Sequence, residues 1–505
     1  MYELALVFSA ISAAVVFLLI FRRPSFNLYN PVVYYFLFHL IIFVVRPILA
    51  YYLKFDGLYV AYGFNPSIDV KTTVIIASNI GFLAFTFFCL HNGDVPMQFR
   101  RELINEEEKR GLTKVFFWAW VVCGPFAVYS VLKSGSDFAA GEYVHGMILD
   151  RSTGAFINTS SNGYVTDGQF MFVTLCAVLA WLGRFRLASV APLIIFVLYR
   201  ASTGSRGAFV SALMIFGLFF AYDRKIRLPT PRVFALILAA VFLFRMVGDD
   251  RGVSIRQVLG TEAKERILTG DSRTKLRTLE SMDYGNMEFF EYLVYVIPQK
   301  SKTYDYFLDN FQVLTEPIPR VLWTGKPIGE PFRRIFLFNY GFPIGMTRSL
   351  PGEGWYALGW AGVVIWCGLW GALLGWVYRR FAEGQQTTMQ TVSYMVYLPI
   401  LITFFRDGQL LTFAKQLGMF MVPILVWYLI ARFMSVPTAA ELRALWRSRM
   451  QRARSRAGPA PIGPIDAAAP TVAARRAATR QMLPAAVLRR REALGQSQAG
   501  PATGG

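Results

Sequence analysis

Charge is scarce in this sequence. Of its 505 residues, 17% are Asp, Glu, Lys or Arg and 54% are hydrophobic, which leaves too little polar surface for a water-soluble fold. Cysteine is scarcer still. Cys89, Cys123, Cys176 and Cys367 all fall inside apolar runs, with no CxxC spacing. That excludes a disulfide framework and a zinc site. The histidines, His39, His91 and His145, are scattered and form no metal set. There is no Walker A sequence, no GxGxxG after a strand and no HExxH. No cofactor and no metal are therefore expected, and any chemistry must use an activated substrate or energy from a partner protein. A cleaved leader is not indicated either. The run Leu4–Phe21 has no basic stretch before it and is followed by Arg22-Arg23, so it reads as a retained first span.

What the chain has instead is apolar runs. A membrane span needs about 20 largely apolar residues, and candidates are 2–21, 31–52, 72–90, 113–132, 168–182, 187–199, 207–222, 233–247, 356–378, 391–405 and 412–434. The fifth and sixth are short, because Arg184 and Arg186 interrupt them, and a re-entrant hairpin is their alternative reading. The expected fold is an all-α integral membrane protein with about eleven transmembrane helices. With the N-terminus outside, the short inner loops carry 14 Lys and Arg, and the twelve arginines after Met434 also fall inside. The net charge of +20 is thus spent on topology and on lipid head groups, so membrane lipids and not nucleic acid are the expected partners.

The domain plan follows. Residues 1–247 hold spans 1–8, 248–355 form a large extracytoplasmic loop, 356–434 hold spans 9–11, and 435–505 form a basic cytoplasmic tail. The long loop is rich in aromatics and balanced in charge, which favours a folded loop, with Phe289–Ile297 a candidate short interfacial helix. The tail, rich in Ala, Arg, Pro and Gly, reads as mostly disordered, with 439–456 a basic amphipathic helix on the inner leaflet.

One outer loop defies the charge rule. Arg200-Ala-Ser-Thr-Gly-Ser-Arg206-Gly carries two arginines on the disfavoured side. Arg206 stands where the seventh span begins, and free amides and the helix dipole there already favour an anion. Ser202, Thr203 and Ser205 add hydroxyls, and an arginine fork can bind two oxygens of a pyrophosphate. The bland alternative is an interfacial arginine snorkelling to head groups. Arg406, Arg320, the pair Arg333-Arg334 and Arg348 are further outer-face candidates. Arg406 lies beside Asp407, so a local salt bridge competes with a ligand role. Glu353, in Pro351-Gly-Glu-Gly-Trp before the ninth span, is the candidate base, with helix-dipole stabilisation as its alternative. Arg46 is the clear mid-span charge, with no acidic partner evident in a span, and that weighs against ion-coupled transport.

Three stretches carry a resemblance: Thr203-Gly-Ser-Arg-Gly opening a span, Ile318-Pro-Arg-Val-Leu-Trp-Thr-Gly-Lys-Pro in the long loop, and Pro351-Gly-Glu-Gly-Trp-Tyr-Ala-Leu-Gly-Trp-Ala-Gly entering the next span. With the span count and loop placement, residues 1–435 resemble bacterial O-antigen or exopolysaccharide repeat-unit polymerases of the Wzy type. Some members carry arginine followed eleven positions later by glycine. Arg206…Gly217 and Arg348…Gly359 fit, but so does Arg447…Gly458 in the tail, and with 41 glycines the spacing adds little. The resemblance implies an enzyme of the bacterial cytoplasmic membrane. It would move a growing glycan from undecaprenyl pyrophosphate onto a sugar hydroxyl of the next lipid-linked unit, without metal or nucleotide, beside a flippase and a chain-length regulator. Arg206, Arg348 and Arg406 would hold pyrophosphate, with Arg200 in the same loop. Arg320 would touch glycan, and Glu353 would act as base or acceptor orienter. The related O-antigen ligases carry a histidine in the long loop, and this one has none. A lipid-linked glycan flippase or exporter is the alternative from another class.

Overall fold

The computed structural model describes residues 1–99, 103–140, 147–150, 155–158, 163–203, 206–228, 284–315, 318, 323, 334–341 and 347–456. The predicted eighth span, most of the first part of the long loop, Arg320, Arg333 and the tail beyond Arg456 lie outside them. The chain divides into two units, Met1–Leu442 and Arg443–Gly505.

Helices dominate. They are α1 (Tyr2–Phe21), α2 (Pro31–Leu53), α3 (Ile68–Gly93), α4 (Leu103–Ala140), α5 (Gln169–Leu182), α6 (Leu187–Thr203), α7 (Arg206–Asp223), α8 (Asn286–Val296), α9 (Leu350–Glu383), α10 (Thr388–Asp407), α11 (Leu410–Phe433) and α12 (Ala439–Arg456). Eight helices among the described residues are long and apolar enough to cross a membrane, while α6 and α7 are apolar but shorter. The expected all-α chain also holds one small hairpin, β1 (Met147–Asp150) paired antiparallel with β2 (Ala155–Asn158).

The surface is turned inside out relative to a soluble protein. On α1, Leu4, Phe8, Ile11, Val15 and Leu18 point outward while Ser9 is fully buried, and on α9 Trp360, Ile365, Leu369 and Trp376 are exposed. Bands of that size are untenable in water and expected against lipid. The chain is thus a multi-pass membrane protein. Its spans match the apolar runs at nearly every described position.

The most extensive helix pairing is α3 against α9. Glycines make it possible. A Cβ on Gly371 would lie 2.4 Å from the Phe85 carbonyl oxygen, and one on Gly375 would lie 2.3 Å from that of Cys89. Small residues four apart let two backbones touch in lipid, where side-chain burial gives little drive.

Two departures from the expected spans matter for function. The ninth helix begins at Leu350, not Tyr356, and it is broken. Leu358 and Gly359 leave helical geometry, Gly359 with φ +59°, so a short first segment folds back on the main span. A Cβ on Gly362 would lie 2.0 Å from the Gly354 carbonyl oxygen, which shows how tightly the two segments are pressed. Second, α8, expected as a short interfacial helix, is enclosed by other helices. Ten of its residues, Asn286–Val294 and Val296, are buried against α3, α9 and the middle of α2. Its aromatic and aliphatic side chains on all faces explain why it is enclosed.

Turns sort onto two faces. On one, Ser25 donates to Asp94, Asn27 to Tyr378, Tyr29 to the Ile226 carbonyl and Tyr222 to Gln386. On the other, Asn286 donates to the carbonyl oxygens of Thr347 and Arg406. The first face also bears Arg22, Arg23, Arg224, Lys225, Arg379 and Arg380.

Candidate functional site

The helix break builds a site around Glu353. Ser349, held at φ +65°, starts the short segment and caps it by accepting from the Gly352 amide at 3.4 Å. Its own amide donates to the Arg406 carbonyl at 2.8 Å, which ties this start to the end of α10. The turn after α10 fits only glycine, because at Gly408, φ +75°, a Cβ would lie 2.2 Å from the Ser349 oxygen. At the other end of the segment, the carbonyls of Tyr356 and Ala357 accept from the amides of Asp305 and Tyr306 at 3.1 and 2.9 Å. The break thus draws the middle of the long loop onto the span.

That loop supplies the partners. Arg348 donates to Glu353 Oε2 and to Asp309 Oδ2, each at 2.9 Å, and lies 3.8 Å above the Tyr356 ring. Asn310 donates to Glu353 Oε1 at 3.1 Å and accepts from the Leu410 amide at 3.2 Å. Asp305 accepts from the Asp309 amide at 3.0 Å. Glu353, Asp305, Asp309, Asn310 and Arg348 are all buried. Burial, then the neighbouring Asp309 carboxylate, pushes the Asp305 carboxyl up to about 7. One guanidinium therefore serves two carboxylates, with Asp305, whose carboxyl is pushed toward neutral pH, beside them. A small opening of about 10 Å³, lined by Asp309, Asn310, Gln312, Glu353, Gln409 and Leu411, reaches the cluster. It has room for about one oxygen-sized group and not for a sugar ring.

The predicted residues are thus partly gathered. Glu353 and Arg348 touch, and Arg406, half-buried in the last turn of α10, is joined to them through its carbonyl. Arg200 lies elsewhere. It is not in a loop, since α6 continues through Thr203, and its buried guanidinium donates to Ser134 of α4 at 3.2 Å. A cation in a last helical turn is favoured by the exposed carbonyls there, which explains the extension. Arg206 opens α7 as expected.

A second cluster was not foreseen. Arg46 has an acidic partner after all, Glu288 of α8, with both side chains buried. One turn on, Glu291 accepts from the Tyr59 hydroxyl at 2.7 Å, and Lys71 lies 4.5 Å over the Tyr59 ring. Burial, then the Glu288 charge, raises the Glu291 carboxyl to about 8. The partner was missed because it comes from the long loop and not from a span. The acidic pair three residues apart on an otherwise apolar helix was the available signal.

Searches against protein-family models, curated proteins and solved structures found no match to this chain.

Proposed function

We propose that the protein is a lipid-linked glycan polymerase of the bacterial cytoplasmic membrane, transferring the growing chain from undecaprenyl pyrophosphate to a sugar hydroxyl of the next unit. The face carrying Glu353 is outside in this reading, because the opposite face bears the basic turns. The observation that carries the proposal is a buried carboxylate, Glu353, fixed by Arg348 and Asn310 at the foot of an opening sized for one hydroxyl.

In the reaction, the acceptor oxygen bonds to the anomeric carbon as the bond from that carbon to pyrophosphate breaks. The electron pair leaves with the lipid pyrophosphate, and the acceptor proton passes to Glu353. Arg348, already engaged by Glu353 and Asp309, orients the base. The pyrophosphate falls to Arg406 and Arg206, with Arg200 bracing α6 and Arg320 contacting glycan. Developing charge on the leaving group is stabilised by such fixed cations.

Reconstituted vesicles given lipid-linked repeat units should produce a ladder of polymer. Glu353→Gln should slow ladder growth by roughly 10²–10⁴-fold, the usual worth of a positioned base. A variant that folds and polymerises at the parent rate removes Glu353 from the chemistry. A second reading, flippase or exporter, is favoured by the charge Arg46 places in a candidate span, where it pairs with Glu288. It expects translocated units and no ladder.

A further inference from the structure

A cavity of about 340 Å³ lies between the outer ends of α1 and α2, the short helix Gly57–Tyr62, the start of α3 and α8. Its volume is at the lower end of the roughly 300–1,000 Å³ typical of small-ligand sites. Tyr2, Tyr51, Tyr59 and Phe55 give it aromatic walls, and Glu3 and Lys71 stand among them. The Tyr2 and Tyr51 rings are 5.7 Å apart and tilted. Tyr51 is 41% exposed and donates to the Glu3 carboxylate. Tyr59 in its wall donates to the buried Glu291, and Met287 in its lining precedes Glu288, the partner of Arg46.

The lining selects a ligand class. A cation is disfavoured, because Lys71 already occupies the Tyr59 face. An anion would meet the Glu3 carboxylate. Positive and negative groups nearly balance, which suits a neutral ligand. Flat tyrosine rings offer apolar faces to the C–H sides of sugars, while their hydroxyls and the Glu3 carboxylate take hydroxyl hydrogen bonds. Helix α8 links the cavity to the turns around the Glu353 site. Met287 lines the cavity, and the preceding Asn286 donates to Thr347 and the Arg406 carbonyl.

We infer that this cavity is a glycan subsite, holding the sugars of the acceptor unit while the reacting hydroxyl is presented to Glu353. The ligand chemistry is read from the cavity, but the acceptor role rests on the proposed transfer reaction.

The full chain in detergent, applied to a printed array of bacterial surface glycans, tests it. The parent should be retained on a subset of glycans, and Tyr51→Ala should lower retention at least tenfold. If Tyr51→Ala fails to fold, Glu3→Gln, a substitution at an exposed position, reads the same wall. No retention of the parent, or equal retention of the parent and the wall variants, overturns the subsite. Failure of the transfer reading shows elsewhere, as an intact ladder from Glu353→Gln in vesicles.

Discussion

Arg348 and Arg46 are both buried on the same half of the molecule, and each is held by carboxylates, yet they are built for different work. Arg348 gathers residues brought in by turns. Its partners Glu353 and Asp309 come from a broken helix and a loop, and an opening reaches them. Arg46 joins two rigid helices, α2 and α8, through Glu288, and both side chains are sealed. The first arrangement can exchange a partner for a substrate group. The second fastens the long loop to the spans. The difference teaches that a buried ion pair is functional or structural according to whether its surroundings can open.

The largest expected effect is on the sealed pair. Arg46→Leu leaves Glu288 buried without its cation and should cost about 3–5 kcal/mol, read as a lower melting temperature in detergent. Arg348→Leu should cost the fold less, because Asn310 still donates to Glu353 and the opening admits water. If Arg348→Leu melts lower than Arg46→Leu, the comparison is reversed.

Next comes Arg348→Lys. Charge survives, but one ammonium cannot span Glu353 and Asp309 as the guanidinium does. Misplacing Glu353 by about 1 Å should slow ladder growth by roughly 10²-fold with little change in melting temperature. An unchanged rate would mean that Arg348 does not position the base.

These clusters also mark how far the sequence could be read. Eight of the proposed spans were legible as helices long and apolar enough to cross a membrane among the described residues, because lipid demands long apolar runs. The break at Leu358 and Gly359 was not, since an apolar run looks the same on both sides of a kink. Glu353 and Arg348 stood out by lying near the start of a span, and five residues of separation kept them together. Asp309 and Asn310 are forty residues away with no pattern to link them, and only the pairing of loop amides with the broken helix brings them in. Arg46 was conspicuous, but its partner is 242 residues distant. The enclosure of α8 was not legible for a related reason: a helix packed among its neighbours has the same local sequence as one lying on a membrane.

A pH series separates the clusters further. Glu291 is raised to about 8, so between its ordinary carboxylate range and that value the folded chain holds a proton the unfolded chain has released. Stability should therefore fall as pH rises through that window. Glu291→Gln should flatten this part of the profile, and an unchanged slope would assign it to another group. Asp305, raised to about 7, should leave its own smaller slope in the same variant.

The smallest effect should come from Lys71→Met, and it bears on the second cluster alone. Lys71 lies over Tyr59, whose hydroxyl binds Glu291, so its charge lowers the cost of ionising that carboxyl. Losing the ammonium removes a cation–π contact worth about 0.5–1 kcal/mol at a partly exposed site. It also makes Glu291 hold its proton more tightly, so the pH-dependent loss of stability should extend to higher pH. Ladder growth at a fixed pH and saturating lipid-linked acceptor should barely change, because Glu353 has its own cation in Arg348. A Lys71→Met chain whose pH profile is that of the parent would show that Lys71 does not sense Glu291. One that loses polymerisation while keeping its fold would show that the two clusters act as a single site.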